Sequence, residues 1–359
     1  MLSLVGLTIA LGIASGCGEK SESLSSTVAA HDFDLALDWF PNADHVAIYE
    51  AKKEGYFDDV GLRVKPHVPS DPAAPIKQVA AGRVDLAISY EPEVFLARQQ
   101  GLPVVAVAAL VQRPLTSLMA IARKKVHTAR DLAGKRVGTA GIPYQSAYLK
   151  TILERAHVKP SSVKETNVGA SLLPAMLSGK VDATLGAFWN VEGVELALRA
   201  GVGACKTGLG RITQSLGCTS SGRASARAPT IIPVNQLGVP DYDELVLVAN
   251  SDKLDDKRDD LRLFIGALAR GAREARRDPR GSATALLDAN PDLKAKETRE
   301  SVRVTLPALF PEKSGSPWGY LDPEQWRVYG SWMFGNGLLG QRPRAAEALT
   351  NELLPGEGL

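Results

Sequence analysis

Histidine and cysteine are scarce in this 359-residue chain, and the few that occur stand apart. The five histidines fall at 31, 45, 67, 127 and 157. None has a cysteine or a second histidine at metal-ligand spacing, so no metal is expected. His-Glu-x-x-His and Gly-x-Ser-x-Gly are both missing, so no catalytic residue and no cofactor is assigned. Cys205 and Cys218 could pair in an exported protein, but their spacing is no metal signature. Charge of one sign is not in excess: 42 Lys and Arg stand against 40 Asp and Glu, a net charge of +2. Such balance gives no reason to expect a nucleic-acid partner. Aromatic residues make up only 6% of the chain, so rings placed at strand ends stand out.

What is present begins with a leader. Residues 2–13 form an apolar run of signal-peptide length, too short to span a bilayer as a helix. Ala14-Ser15-Gly16-Cys17 follows, small residues before a cysteine, as in a bacterial lipobox. Cys17 would then be diacylated and become the first residue; an ordinary secretory signal with an incidental cysteine is the alternative. The polar, serine-rich stretch 18–30 suits a tether. Residues 1–30 are therefore read as signal, lipobox and tether, and the protein as extracytoplasmic and lipid-anchored to the cell membrane.

One unit occurs twice. Ala81-Gly82-Arg83-Val84-Asp85-Leu86-Ala87-Ile88-Ser89-Tyr90-Glu91 is echoed by Ser178-Gly179-Lys180-Val181-Asp182-Ala183-Thr184-Leu185-Gly186-Ala187-Phe188-Trp189. Each copy follows an apolar helical run, turns on a glycine and enters a buried strand. Asp85 and Asp182 are assigned to stabilising the turn. Two copies imply two similar α/β lobes, and ligands of such sheets bind at the carboxyl ends of strands. The expected lobe I is 31–122 plus 249–359, and the expected lobe II is 123–248. Two connections between them form a hinge. Residues 201–228 lack an apolar period and are read as a loop or flexible insert. Trp326, Tyr329 and Met333 recur at helical spacing and are assigned to the core.

Several segments resemble a known family. They are Asp38-Trp39-Phe40-Pro41-Asn42 with His45, Lys53-Glu54-Gly55-Tyr56-Phe57, Ile88-Ser89-Tyr90-Glu91-Pro92-Glu93, Gly141-Ile142-Pro143 and Gly238-Val239-Pro240-Asp241-Tyr242-Asp243-Glu244. Together they resemble the thiamine-pyrimidine-precursor binding proteins of ABC transporters, from about Phe33 onward. The resemblance implies a periplasmic-binding-protein type II fold, two α/β lobes with a ligand cleft between them. It also implies a monomer that works with an ABC permease and ATPase. Riboflavin or another flat heterocycle is the alternative ligand. Eukaryotic relatives are pyrimidine-precursor synthases using pyridoxal phosphate, with a cysteine-rich run after a Leu-Gly pair and a histidine after the repeat strand. Here Val239-Pro240-Asp241 and Glu91-Pro92-Glu93 stand at those places, which argues for binding rather than synthesis.

An aminopyrimidine has a π face, ring acceptors and an amino donor. Trp39, Tyr90 and Trp189 can stack on it. Asp38, Glu91, Glu93 and Glu192 can accept from its amine or protonate a ring nitrogen, and Asn42 and Gln112 can pair with a donor–acceptor edge. His45 and Tyr144 complete the expected ligand-binding set. Three have a plainer reading: Trp39 as core, Asp38 as a brace for its loop, His45 as a helix-end hydrogen bonder. Tyr242 and Glu244 could reach the hinge, or Glu244 could be solvated.

Overall fold

The computed structural model describes residues 30–204, 216–218, 227–311 and 315–356. Cys17, the tether, Cys205 and most of the 201–228 insert lie outside the described residues.

Two five-stranded sheets carry the fold. The first holds β1 (His31–Ala36), β2 (Leu62–His67), β3 (Leu86–Ser89) and β4 (Val104–Val111). The second holds β5 (Thr116–Ala120), β6 (Arg136–Thr139), β7 (Lys164–Asn167) and β8 (Ala183–Phe188). A short antiparallel ribbon of β9 (Gly203–Ala204) and β10 (Leu216–Cys218) follows. Then β11 (Thr230–Pro233) edges the second sheet, and β12 (Leu245–Asn250) returns to the first. The strand orders are β2-β1-β3-β12-β4 and β7-β6-β8-β5-β11. These are the same architecture twice. In both, three parallel strands are followed by an antiparallel one, β12 or β5. The strands that follow the repeated turn, β3 and β8, hold the same middle place.

The repeat aspartates act alike. Asp85 Oδ2 accepts from Asp34 N at 2.8 Å, and Asp182 Oδ2 accepts from Arg136 N at 3.0 Å. Each carboxylate thus ties its turn to the equivalent neighbouring strand, β1 or β6. Arg136 and Lys124 also pair with Asp182 and hold its carboxyl well below the usual range.

Sheet membership moves the lobe limits expected from sequence. β5 belongs to the second sheet and β12 to the first, so the chain crosses at 112–115 and 234–244. An apolar run marks a buried strand but not the sheet that takes it, because that depends on pairing with distant residues.

Helices cover both sheets. They are α1 (Val46–Lys53), α2 (Pro75–Ala80), α3 (Glu91–Gln99), α4 (Pro143–Arg155), α5 (Leu172–Leu177) and α6 (Glu192–Arg199). After the return come α7 (Arg258–Arg277), α8 (Pro279–Ala289), α9 (Ala295–Thr305) and α10 (Pro323–Gly335). α7 presses on α1: a Cβ on Gly271 would stand 2.3 Å from the Ala47 carbonyl oxygen. Phe264 of α7 stacks on Phe33 and Phe57, at 4.8 and 5.1 Å between centroids. Trp326, Tyr329 and Met333 on α10 are wholly buried.

Carboxylates pin the hinge. Glu244 is fully buried, not solvated. Its Oε2 accepts from Leu115 N, Thr116 N and the Tyr242 hydroxyl, at 2.6, 2.7 and 2.8 Å. Its Oε1 accepts from Thr116 Oγ1 at 2.8 Å. One side chain therefore staples both crossings together. Beside it, Glu91 Oε2 accepts from Asp243 N at 2.7 Å, and Asp243 Oδ2 accepts from the Trp326 indole at 2.7 Å. Burial raises Glu244 to about 7; burial, then the charge of Asp243, raises Glu91; burial, then the charge of Asp322, raises Asp243 to about 7. Burial also lifts Glu93 to about 8. The folded chain thus holds protons that the unfolded chain releases above about pH 4.5. Stability present at pH 5 is lost as pH rises toward 8, then levels off. A melting temperature several degrees lower at pH 8.5 than at pH 5.5 is expected from calorimetry; an unchanged one would show these acids ionised in the fold.

Candidate functional site

The carboxyl ends of four parallel strands meet where the lobes face each other. The loop after β1 brings Asp38, Trp39 and Asn42, and β3 ends at Tyr90. The loop after β6 brings Ile142, Tyr144 and Gln145. β8 contributes Gly186 and Phe188, and the turn into α6 contributes Val191 and Glu192. These residues line one slot between the lobes. It has room for the centre of a water-sized sphere in only about 20 Å³. Its walls are rings, and its polar groups enter from both sides.

Local folding sets those groups. Asn42 caps the start of the helical segment: its side-chain oxygen accepts from Asp44 N at 2.8 Å. Asn42 N in turn donates to His45 Nδ1 at 3.2 Å. His45 Nδ1 is thereby an acceptor, so the ring proton sits on Nε2 and is donated to Asp38 Oδ1 at 2.9 Å. The other oxygen, Asp38 Oδ2, accepts from the Tyr90 hydroxyl at 3.0 Å. Asp38 is held from both sides and presents fixed negative charge to the slot. Across the slot, Glu192 Oε2 accepts from Phe188 N at 2.9 Å. Burial, then repulsion by Glu195 and Asp38, raises Glu192 to about 7 despite that hydrogen bond. Gln145 Oε1 accepts from Ala140 N at 2.7 Å, which leaves its amide nitrogen as the free end. The Tyr144 hydroxyl is buried with no hydrogen-bond partner. Thr116 lies near it but spends its own proton on Glu244.

Six of the expected residues come together here: Asp38, Trp39, Asn42, Tyr90, Tyr144 and Glu192. Five do not line the slot. His45 stands behind Asp38 and orients it. Glu91 braces the hinge. Glu93 is buried on α3. Gln112 donates to the Tyr320 carbonyl at 3.2 Å and lies in the first crossing. Trp189 is 3% exposed and donates its indole N–H to the Pro114 carbonyl at 3.1 Å, also at the hinge. Phe188 lines the slot instead. Successive strand side chains point to opposite faces, so a one-residue step carries the ring away from the cleft.

Sequence reading missed Ile142, Gln145, Gly186, Phe188 and Val191. Gly186 did leave a signal, a glycine inside an apolar strand. Its φ is +119°, and a Cβ there would meet Gln145 Nε2 at 2.4 Å. Gly186→Ala should displace the Gln145 amide and weaken ligand binding at least tenfold, read by calorimetry, with the circular dichroism spectrum retained. Unchanged affinity would remove Gln145 from the site.

The lobes are closed on each other. Asn190, just after β8, donates from Nδ2 to Asp44 Oδ1 and to Thr305 Oγ1 of α9, both at 2.7 Å. Lys294 pairs with Glu195 at 2.8 Å, and the hydroxyls of Tyr148 on α4 and Tyr329 on α10 meet. Among the described residues no cluster of His, Cys, Asp or Glu could hold a metal ion. Among them, too, no helix is long and apolar enough to cross a membrane.

Residues 42–282 match the profile described as NMT1/THI5 like. The chain belongs to the NMT1/THI5-like family. It is 31% identical over 352 residues to the formylaminopyrimidine-binding protein of Halalkalibacterium halodurans, covering 97% of this chain and 98% of that one. It is 36% identical over 230 residues to a putative thiamine biosynthesis protein of Haemophilus influenzae, covering 64% and 65%. A 4-amino-5-hydroxymethyl-2-methylpyrimidine phosphate synthase of Legionella pneumophila is 27% identical over 162 residues, covering 45% of this chain and 51% of the synthase. Among solved structures, the alkanesulfonate-binding protein SsuA of Xanthomonas axonopodis pv. citri superposes with a TM-score of 0.63 at 15% identity. That match covers 89% of this chain and 98% of the other, and it shows the fold alone. This NMT1/THI5-like chain therefore has the two-lobed type II fold of periplasmic binding proteins.

Proposed function

We propose that this chain is the extracytoplasmic solute-binding component of an ABC importer, and that it closes on a thiamine pyrimidine precursor. The observation that carries this reading is the slot itself: a thin space between two lobes, walled by Trp39, Tyr90, Tyr144 and Phe188, with Asp38 and Glu192 opposed across it. A flat ring stacks on such walls, its amino group donates to a carboxylate, and its ring nitrogen takes a proton from the other side. The name of the Halalkalibacterium relative supports a formylaminopyrimidine-like or hydroxymethylpyrimidine-like ligand. So small a space favours one ring over the three fused rings of riboflavin. Contacts from both lobes favour the closed state, which a permease and its ATPase would read. In this reading the chain acts as a monomer tethered through Cys17. It catalyses nothing, because the cysteine-rich run and the histidine after β3 that mark the synthases are replaced by other residues.

Trp39→Ala should weaken hydroxymethylpyrimidine binding at least tenfold, since stacking and burial together contribute roughly 2–4 kcal/mol. Calorimetric titration with hydroxymethylpyrimidine and with riboflavin tests both ligands. Riboflavin binding more tightly than the pyrimidine would overturn the ligand assignment.

A further inference from the structure

A second compartment adjoins the slot at Trp39. This outer compartment has about 310 Å³ of room by the same measure, against about 20 Å³ in the slot. Its walls come from both lobes: Phe40, Ser70 and Asp71 on one side, Asn167 and Gly169 on the other. Phe40 meets Trp39 edge-on, with centroids 6.4 Å apart and planes at 84°, and is 55% exposed. A large ring so open to solvent is a surface for something to lie on. Asn167 Oδ1 accepts from Gly169 N at 2.8 Å, which commits its oxygen to the backbone and leaves its NH2 to donate. Asp71 Oδ1 accepts from Ala73 N at 3.0 Å, and this fixes a carboxylate at the rim.

We propose that the outer compartment is a second subsite, taking the substituent of the ring held in the slot, and that it accepts planar uncharged acylamino groups, aromatic ones included, and rejects phosphate. The inference rests on the aminopyrimidine reading of the slot. An acyl oxygen can accept from the Asn167 amide, and a planar acyl group can stack on Phe40. A phosphate would bring its charge beside the Asp71 carboxylate and toward Asp38, both of the same sign. None of the described residues that line either compartment is Lys or Arg.

The test is calorimetry on the mature chain with four 4-amino-2-methylpyrimidines, bearing hydroxymethyl, formylaminomethyl, benzoylaminomethyl or phosphorylated hydroxymethyl at the same ring position. The benzoylaminomethyl compound should bind within threefold of the formylaminomethyl one, or tighter. The phosphate should bind at least tenfold more weakly than its alcohol. Phe40→Ala should weaken the benzoylaminomethyl compound at least fivefold and leave the hydroxymethyl one unchanged, which also reports that the variant is folded. A benzoylaminomethyl compound weakened more than threefold, a phosphate that binds as well as its alcohol, or a Phe40→Ala variant that treats the compounds alike overturns the subsite while the slot assignment stands. Failure of all four compounds to bind overturns both.

Discussion

Glu192→Ala should weaken aminopyrimidine binding by about 10- to 100-fold, and Glu192→Gln should recover most of that loss. A hydrogen bond contributes ~0.5–1.5 kcal/mol between neutral partners and ~1.5–3 kcal/mol when the proton passes to the ring and leaves a charged pair, and ~1.4 kcal/mol is tenfold in affinity. Burial holds Glu192 at about 7, with Glu195 and Asp38 adding like-charge repulsion. Below that pH the side chain is a neutral acid: its hydroxyl donates to a ring nitrogen and its carbonyl accepts from the neighbouring amine. The bound complex keeps that proton, whether on Glu192 or on the ring. As pH rises above 7 the free protein has lost the proton and must take it up on binding, so affinity falls, at most tenfold per pH unit. Glutamine donates and accepts at the same two places and carries no titrating proton. The wild-type profile should therefore slope downward from pH 7 to 9, and the Glu192→Gln profile should be flatter over that range. Titration in buffers of different ionisation enthalpy would read the proton uptake directly. Parallel profiles for the two proteins would remove Glu192 from ligand recognition.

Asn190→Ala is expected to weaken ligand binding by about 10- to 100-fold without touching the ligand. The Asn190 amide ties the second lobe to Asp44 and Thr305 of the first, and all three are wholly buried. Such a contact exists only when the lobes are together, so removing it penalises the closed state alone. Stranding the buried Asp44 adds ~1–3 kcal/mol. Burial, then the charge of Asp38, pushes Asp44 well above the ordinary carboxylate range, and Glu192 and Glu244 add to it. A neutral Asp44 has a proton to donate from Oδ2, which otherwise has no partner, just as Asn190 Oδ1 has none. Asp44→Asn keeps a donor and an acceptor at that place and should retain affinity within threefold. Calorimetry would give the affinities, and small-angle scattering of Asn190→Ala without ligand should show a larger radius of gyration than wild type. Equal affinity and equal radius would mean that closure does not depend on this contact.

Much of the fold was legible because its signals are local. Glycine turns, buried apolar strands and the twice-used unit are set by backbone sterics and by burial of neighbouring residues. The two copies do occupy equivalent places, β3 and β8, with Asp85 and Asp182 doing the same work. Lobe limits were less legible, since β5 and β12 exchange sheets and nothing in an apolar run names its partner. Within the site, Asp38, Trp39 and Asn42 stood together in one loop, and Tyr90, Tyr144 and Glu192 lay at or just beyond strand ends. Trp189 misled because aromatic character is visible in a sequence while the face it takes is decided by strand register. Glu91 looked like a ligand group, and Glu244 like either a hinge or a solvated group; both are buried braces of the hinge.

By itself, the sequence determined that the chain has two related α/β lobes, with rings and carboxylates at the ends of strands. These follow from composition, spacing and short-range propensity. Only the tertiary structure decided which of those groups share a cavity, that Phe188 rather than Trp189 faces it, and that Asn190 and Asp44 join the lobes behind it. Such choices depend on strand register and on contacts between residues more than a hundred positions apart, which no local pattern records.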